Sequence, residues 1–156
     1  KARHMTAGEG EFLGLDRAEA SRRMAAGKAL IEDMIGRPVT GFIAPAWLYG
    51  PGALAALRDS GFELAEDHMK VWRPASGAVV ARGPVITWAS RSMVRTASSL
   101  LAAGLTRAFL RPLPTVRVAV HPGDVTKPSI MRSIDKTLAA FSRQRAVGRY
   151  ADLLAA

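Results

Sequence analysis

The chain has 156 residues, 49% of them hydrophobic, 22% charged and 6% aromatic, with a formal charge of +9 and no cysteine. A single domain of this length buries roughly 70% of the surface that its unfolded form exposes, so it needs no disulfide or structural metal to fold. The composition excludes a disordered tail, a collagen-like repeat and a disulfide scaffold, and the missing cysteines exclude a thiolate nucleophile and Cys-ligated zinc.

No apolar run approaches the roughly 18 residues of a membrane span. The first residues also lack the apolar core of a signal peptide, which favours a cytoplasmic location without fixing it. Charge is unevenly placed. Residues 1–90 carry 11 basic and 10 acidic side chains, whereas residues 91–156 carry 11 basic ones against Asp124, Asp135 and Asp152. Such an excess suits nucleic acid, an anionic lipid surface or an acidic polymer. Yet the arginines stand singly in amphipathic segments with few aromatics between them for base stacking, so nucleic acid is not the expected partner.

The chain begins at Lys1 without an initiator Met and reads as an interior piece of a longer protein. Residues 1–14 read as loop, and His4-Met5 also fits a cloning scar. Asp16 is a helix N-cap with Glu19 three residues on, and Ala20, Met24, Ile31, Met34 and Ile35 follow at helical spacing until Gly36 and Pro38 stop the helix. Val39 to Ala46 reads as a buried strand ending at Pro45. Pro51 opens a second helix with Leu54 and Leu57 on its buried face, and Gly61 closes it.

Phe62 to Ala65 is the next strand expected, and residues 66–77 read as irregular. Gly77 to Ala89 holds two apolar stretches separated by Arg82-Gly83-Pro84. Met93 to Leu110 is a third helix, with Val94, Ala97, Leu101, Leu105 and Ala108 near one face, ended by Pro112 and Pro114. Val116 to Val120 is the clearest strand and runs into His121-Pro122-Gly123-Asp124. A last helix from Pro128 should carry Ile130, Ile134, Leu138 and Phe141 inward. Strand and helix alternate, so the expected class is α/β, with βα units around a parallel sheet.

In parallel α/β folds the chemistry sits in loops at the carboxyl ends of strands. Three expected strands end in Pro45-Ala46-Trp47, Trp88-Ala89-Ser90 and His121-Pro122-Gly123-Asp124, which should share one mouth. A histidine after an apolar strand serves as general acid or base near neutral pH, and an aspartate three residues on can orient its ring. Pro122 stops the ladder and Gly123 permits the tight turn that brings Asp124 back. The same residues also suit a histidine satisfied within a turn, and Trp47 and Trp88 suit packing as well as a substrate platform. His68 reads as a surface residue.

The segment GFIAPAWLYGPGALAALRDSGF, the β-rich stretch ending TWAS and the run VRVAVHPGDV, in that order after a helix, resemble the later part of a polysaccharide deacetylase domain. This is the NodB-homology fold of the carbohydrate esterase family 4 type, and the GEF segment and PAW loop place the likeness nearest to a deacetylase-like branch. The resemblance covers roughly residues 9–155. It implies a (β/α) barrel of the deacetylase type, incomplete in this chain, as one domain over residues 1–156.

The activity it implies is metal-dependent removal of N-acetyl groups from a sugar or polysaccharide, by an enzyme complete only in the full-length protein. A divalent metal, usually zinc, polarises the acetyl carbonyl and the attacking water. On the family's pattern His121 is the general acid, Pro45 and Trp47 are the groove wall, and Trp88 flanks the acetyl pocket. His4 stands nearest the place of a metal histidine, with the remaining ligands upstream of Lys1. Three features depart from the pattern. The paired aspartates of the first strand and the His-x-x-x-His pair are absent, and Ile43 stands where the family commonly has an arginine. An inactive carbohydrate-binding or interaction domain on the same fold is therefore the alternative expectation, and a basic nucleic-acid module the third.

Overall fold

A computed structural model describes residues 10–89 and 93–155, and it divides into two compact units: Lys1–Arg82 with Arg149–Ala156, and Gly83–Gly148. The first unit opens with helix α1 (Arg17–Ile35). Its start is local chemistry, because the Asp16 carboxylate accepts the Glu19 N–H at 2.8 Å and so satisfies one of the orphan donors of the first turn. The Glu19 side chain does not reach back to complete a capping box; it pairs with Arg22 and Arg23 at 2.7 Å. Gly36 ends the helix at φ 65°, where its N–H finds the Glu32 carbonyl.

Strand β1 (Gly41–Ile43), helix α2 (Pro51–Arg58) and strand β2 (Leu64–Glu66) form a parallel βαβ unit, with Phe42 opposite Ala65 in register. Strand β1 is shorter than the expected Val39 to Ala46 because Pro45 to Trp47 turn into a 3-10 coil. Strands β3 (Lys70–Trp72) and β4 (Val79–Arg82) then add antiparallel, in the order β1-β2-β3-β4. The expectation of an irregular stretch from 66 to 77 therefore fails. Asp67 builds a turn there, its carboxylate accepting the N–H groups of Met69 and Lys70 at 2.7 and 2.9 Å, and the chain doubles back as a hairpin.

One face of this sheet packs on the helices through Ala20, Met24, Ala53, Ala56, Leu57, Phe62, Ala65 and Trp72. The other holds Leu64, Val71 and Ala81 under the C-terminal coil of Tyr150, Leu153 and Leu154. Gly50 is required where it stands, since a Cβ there would lie 2.0 Å from the Leu13 carbonyl oxygen. Two expected helix faces are corrected. In α1 only Ala20 and Met24 are buried, while Ile31, Met34 and Ile35 are exposed, and in α2 Leu54 is exposed while Ala53 and Ala56 join Leu57 inside. Small alanines are what let two helices approach closely, so the contact falls on them.

The second unit repeats the βαβ pattern with strand β5 (Val85–Thr87), helix α3 (Met93–Phe109) and strand β6 (Arg117–Ala119), in parallel register Ile86 to Val118. Helix α4 (Pro128–Ser142) packs on α3. The core is Ile86, Trp88, Ala103, Leu110, Ile130, Ile134 and Phe141. Leu138, expected inward, is exposed. In α3 the face that carries Ala97, Leu101, Leu105 and Ala108 is the exposed one, and Thr96 and Ala103 are turned inside. The class is thus mixed α/β. The described residues form a four-stranded sheet with one parallel and two antiparallel pairings and a two-stranded parallel one, and neither closes into a barrel. No helix among them is long and apolar enough to cross a membrane.

Candidate functional site

The sequence-derived site residues fall in both units. In the first, Pro45 and Trp47 follow the carboxyl end of β1. Ala46 and Trp47 both adopt left-handed backbone, at φ 53° and 57°, a conformation that costs a non-glycine residue on the order of 1–3 kcal/mol. Two consecutive strained residues hold only where the surroundings over-determine them. Tyr49 supplies that restraint. Its half-buried hydroxyl accepts the Ala44 N–H at 3.1 Å and donates to the Glu66 carbonyl at 2.7 Å, tying together the carboxyl ends of β1 and β2. Burial pushes the Tyr49 phenol well above its ordinary range, which keeps it a neutral hydrogen-bonding group. The half-buried indole of Trp47 then meets the exposed ring of His68, with centroids 4.7 Å apart. An aromatic wall therefore stands at this strand end, and His68 belongs to it.

In the second unit the VRVAV run leads β6 into the His121 turn. Asp124 is 1% exposed. Its Oδ2 accepts the His121 N–H at 2.9 Å and lies 3.5 Å from the His121 Nδ1, while the Asp124 N–H donates back to the His121 carbonyl at 2.9 Å. The carboxylate thus closes the turn. Gly123 has an ordinary helical φ of −67°, so the turn does not draw on the left-handed backbone that favours glycine. The His121 side chain is 54% exposed.

Behind this turn lies a polar layer. Trp88 is 4% exposed and donates its indole N–H to Ser133 Oγ at 3.0 Å, and Arg107 donates to Thr137 Oγ1 at 3.1 Å. Lys127 donates to Thr96 Oγ1 at 3.0 Å, and that hydroxyl in turn donates to the Ala89 carbonyl at 3.1 Å. Trp88 is accordingly a core residue that anchors α4, which is the packing role its residue type also suited. Two buried oxygens, Thr87 Oγ1 and Asp124 Oδ1, have no hydrogen-bond partner among the described residues, and both belong to the carboxyl-end side of the β5–β6 pair.

No family model, curated protein or solved structure matches the chain. The chemistry of the site is therefore read from its own geometry. His121 and Asp124 are brought together; Pro45 and Trp47 lie in the first unit and Trp88, His121 and Asp124 in the second. His4 lies outside the described residues. Among the described residues no group of three His, Cys, Asp or Glu side chains could hold a metal ion.

Sequence reasoning passed over Tyr49 and Glu66. Glu66 had a signal available, since it stands two residues after Leu64 and shares its strand face, which puts a carboxylate where a strand buries apolar groups. Tyr49 had none, because only the fold shows that its hydroxyl reaches two strand ends.

Proposed function

We propose that the protein is a hydrolase that removes N-acetyl groups from a sugar or polysaccharide, with His121 as general acid. The observation that carries this reading is the His121–Asp124 pair at the carboxyl end of a parallel strand, an exposed imidazole held 3.5 Å from a buried carboxylate. Asp124 stands beside the Nδ1 edge of the ring and fixes it, so the opposite nitrogen is the one that carries the proton toward substrate. When water adds its oxygen to the acetyl carbonyl, releasing its proton to solvent, and the C–N bond breaks, the imidazole's proton goes to the departing amine, and the products are acetate and the free amino sugar. Pro45 and Trp47, with the His68 ring tilted against the indole, are the proposed sugar-facing wall of the first unit.

The incomplete (β/α) barrel belongs to the same proposal, supported by the two parallel βαβ units in chain order. So does a divalent metal whose ligands lie outside the described residues, which themselves do not fit one, and no step is derived through it. The test is acetate release from an N-acetylated chitooligosaccharide by the full-length protein. Turnover above a heat-treated control supports the hydrolase, whereas saturable binding of the oligosaccharide without acetate release gives the carbohydrate-binding domain instead.

A further inference from the structure

The outward face of helix α3 is apolar, where a surface helix ordinarily turns its charges to water. Among the described residues of this helix every exposed side chain, from Ala97 to Phe109, is uncharged. Leu101 is 67% exposed, Leu105 54% and Phe109 75%, and alanine or serine fills the other exposed positions. Spaced four residues apart, the three large side chains form one ridge along a strip about 18 Å long. They present on the order of 400 Å² of apolar surface, the size at which an exposed patch signals a partner.

Cations stand at both ends of this strip. At one end the Lys127 ammonium donates to Thr96 Oγ1 at 3.0 Å. At the other, Arg111 is exposed two residues beyond Phe109, and the Arg111 and Leu113 carbonyls hold the Arg145 guanidinium beside it. Hydroxyls and carbonyls carry no formal charge, so these contacts leave the positive charge in place. Residues 83–148 hold ten lysine and arginine residues against two acids, Asp124 and Asp135. Asp124 is buried in the His121 turn. Asp135 lies on the opposite face of α4 from Ser133 and Thr137, the two residues that meet Arg107 of α3.

The charge selects the partner. A second copy would bring the same cations against these, and two such patches bury on the order of 800 Å², short of the roughly 1,200 Å² of a stable interface. An anionic bilayer supplies both halves of the complement. Its headgroups spread negative charge along a plane that reaches both ends of the strip, and its acyl boundary conforms to a convex ridge for which a protein would need a fitted groove.

We propose that α3 docks on an anionic lipid bilayer, with Leu101, Leu105 and Phe109 entering the headgroup–acyl boundary and Lys127, Arg111 and Arg145 facing the lipid anions. The surface is independent of the hydrolase reading, since its test reads binding and not turnover. The full chain is sedimented with vesicles of equal parts phosphatidylcholine and phosphatidylserine, and with vesicles of phosphatidylcholine alone. Binding to the mixed vesicles is expected, at least tenfold weaker on phosphatidylcholine and weakened by salt. Phe109→Ser, which keeps the charge and replaces a side chain already in water, should also weaken it at least tenfold. Because the chain has no cysteine, Leu105→Cys carries a single thiol, and a nitrobenzoxadiazole dye attached there should brighten and shift to the blue on the mixed vesicles. Equal affinity for the two vesicles, unchanged affinity in Phe109→Ser, or a dye that does not respond would overturn the assignment. A dye response to soluble polyglutamate as large as that to vesicles would overturn it too, giving the surface to an acidic protein instead.

Discussion

Replacing Tyr49 by Phe removes one oxygen and, on this structure, unties two strand ends. The hydroxyl accepts the N–H of Ala44, a residue 1% exposed, and donates to the Glu66 carbonyl. A carbonyl that loses one partner keeps a second lone pair for others, but a buried N–H that loses its acceptor bears its full desolvation cost, about 1–3 kcal/mol. Phenylalanine recovers part of this through its lower desolvation, so the expected net loss is about 2 kcal/mol. For a chain of this size each kcal/mol shifts the melting temperature by about 2–4 °C, which gives a fall of roughly 4–8 °C.

Because burial holds the phenol far above its ordinary range, the hydroxyl stays protonated, and the difference between the two proteins should not change between pH 6 and about 9. Calorimetry across that pH range measures both, and hydrogen exchange should show the Ala44 amide losing protection selectively. A melting temperature within 1 °C of wild type, together with a still-protected Ala44 amide, would show that Tyr49 does not restrain the Pro45–Trp47 turn, and the account of its strained backbone would have to be abandoned.

Ala46→Gly relieves left-handed strain worth about 1–2 kcal/mol while loosening the unfolded chain by about 0.4–1 kcal/mol, so thermal denaturation should show a rise of about 1–3 °C; a fall contradicts the backbone assignment. Trp88→Phe deletes the buried N–H donor to Ser133 and leaves a void in the second unit's core, and urea titration should register a loss of about 1–3 kcal/mol. Hydrogen bonds from Arg22 and then Arg23 lower the Glu19 carboxyl from 4.5 to about 2, so its contribution to α1 is present above pH 4.5 and lost as the pH falls toward 2. These surface contacts are screened by salt, so circular dichroism at low ionic strength should show a small extra loss of helix in acid for wild type over Glu19→Gln; superimposable curves would dismiss it.

What was legible in the sequence is the chemistry that acts locally. The Asp16 cap, the Gly36 stop, the Pro51 and Pro128 starts and the Asp124 turn each depend on residues within a few positions of one another, and all appear in the structure. Choices that depend on a distant partner were not legible. The spacing of Ala97, Leu101, Leu105 and Ala108 defines a helix face but not which neighbour that face meets, and the side carrying Thr96 and Ala103 is the one buried. Strand β3 was hidden because its three residues follow Asp67-His68, whose turn chemistry was read as irregularity rather than as the start of a hairpin. The strand ends that carry Trp47 and His121 were located from apolar runs stopped by Pro45 and Pro122. The bond accepted by the Asp124 carboxylate is local, whereas the one that the Tyr49 hydroxyl accepts from Ala44 comes from folded geometry.

The most direct test of the proposed chemistry is the turnover number for acetate release from an N-acetylated oligosaccharide, compared between full-length wild type and His121→Ala with thermal unfolding measured alongside. A general acid held by a buried carboxylate predicts a fall in kcat on the order of 10²–10⁴-fold, with the variant still folded and still binding the oligosaccharide. A folded His121→Ala protein that releases acetate at the wild-type rate would contradict it.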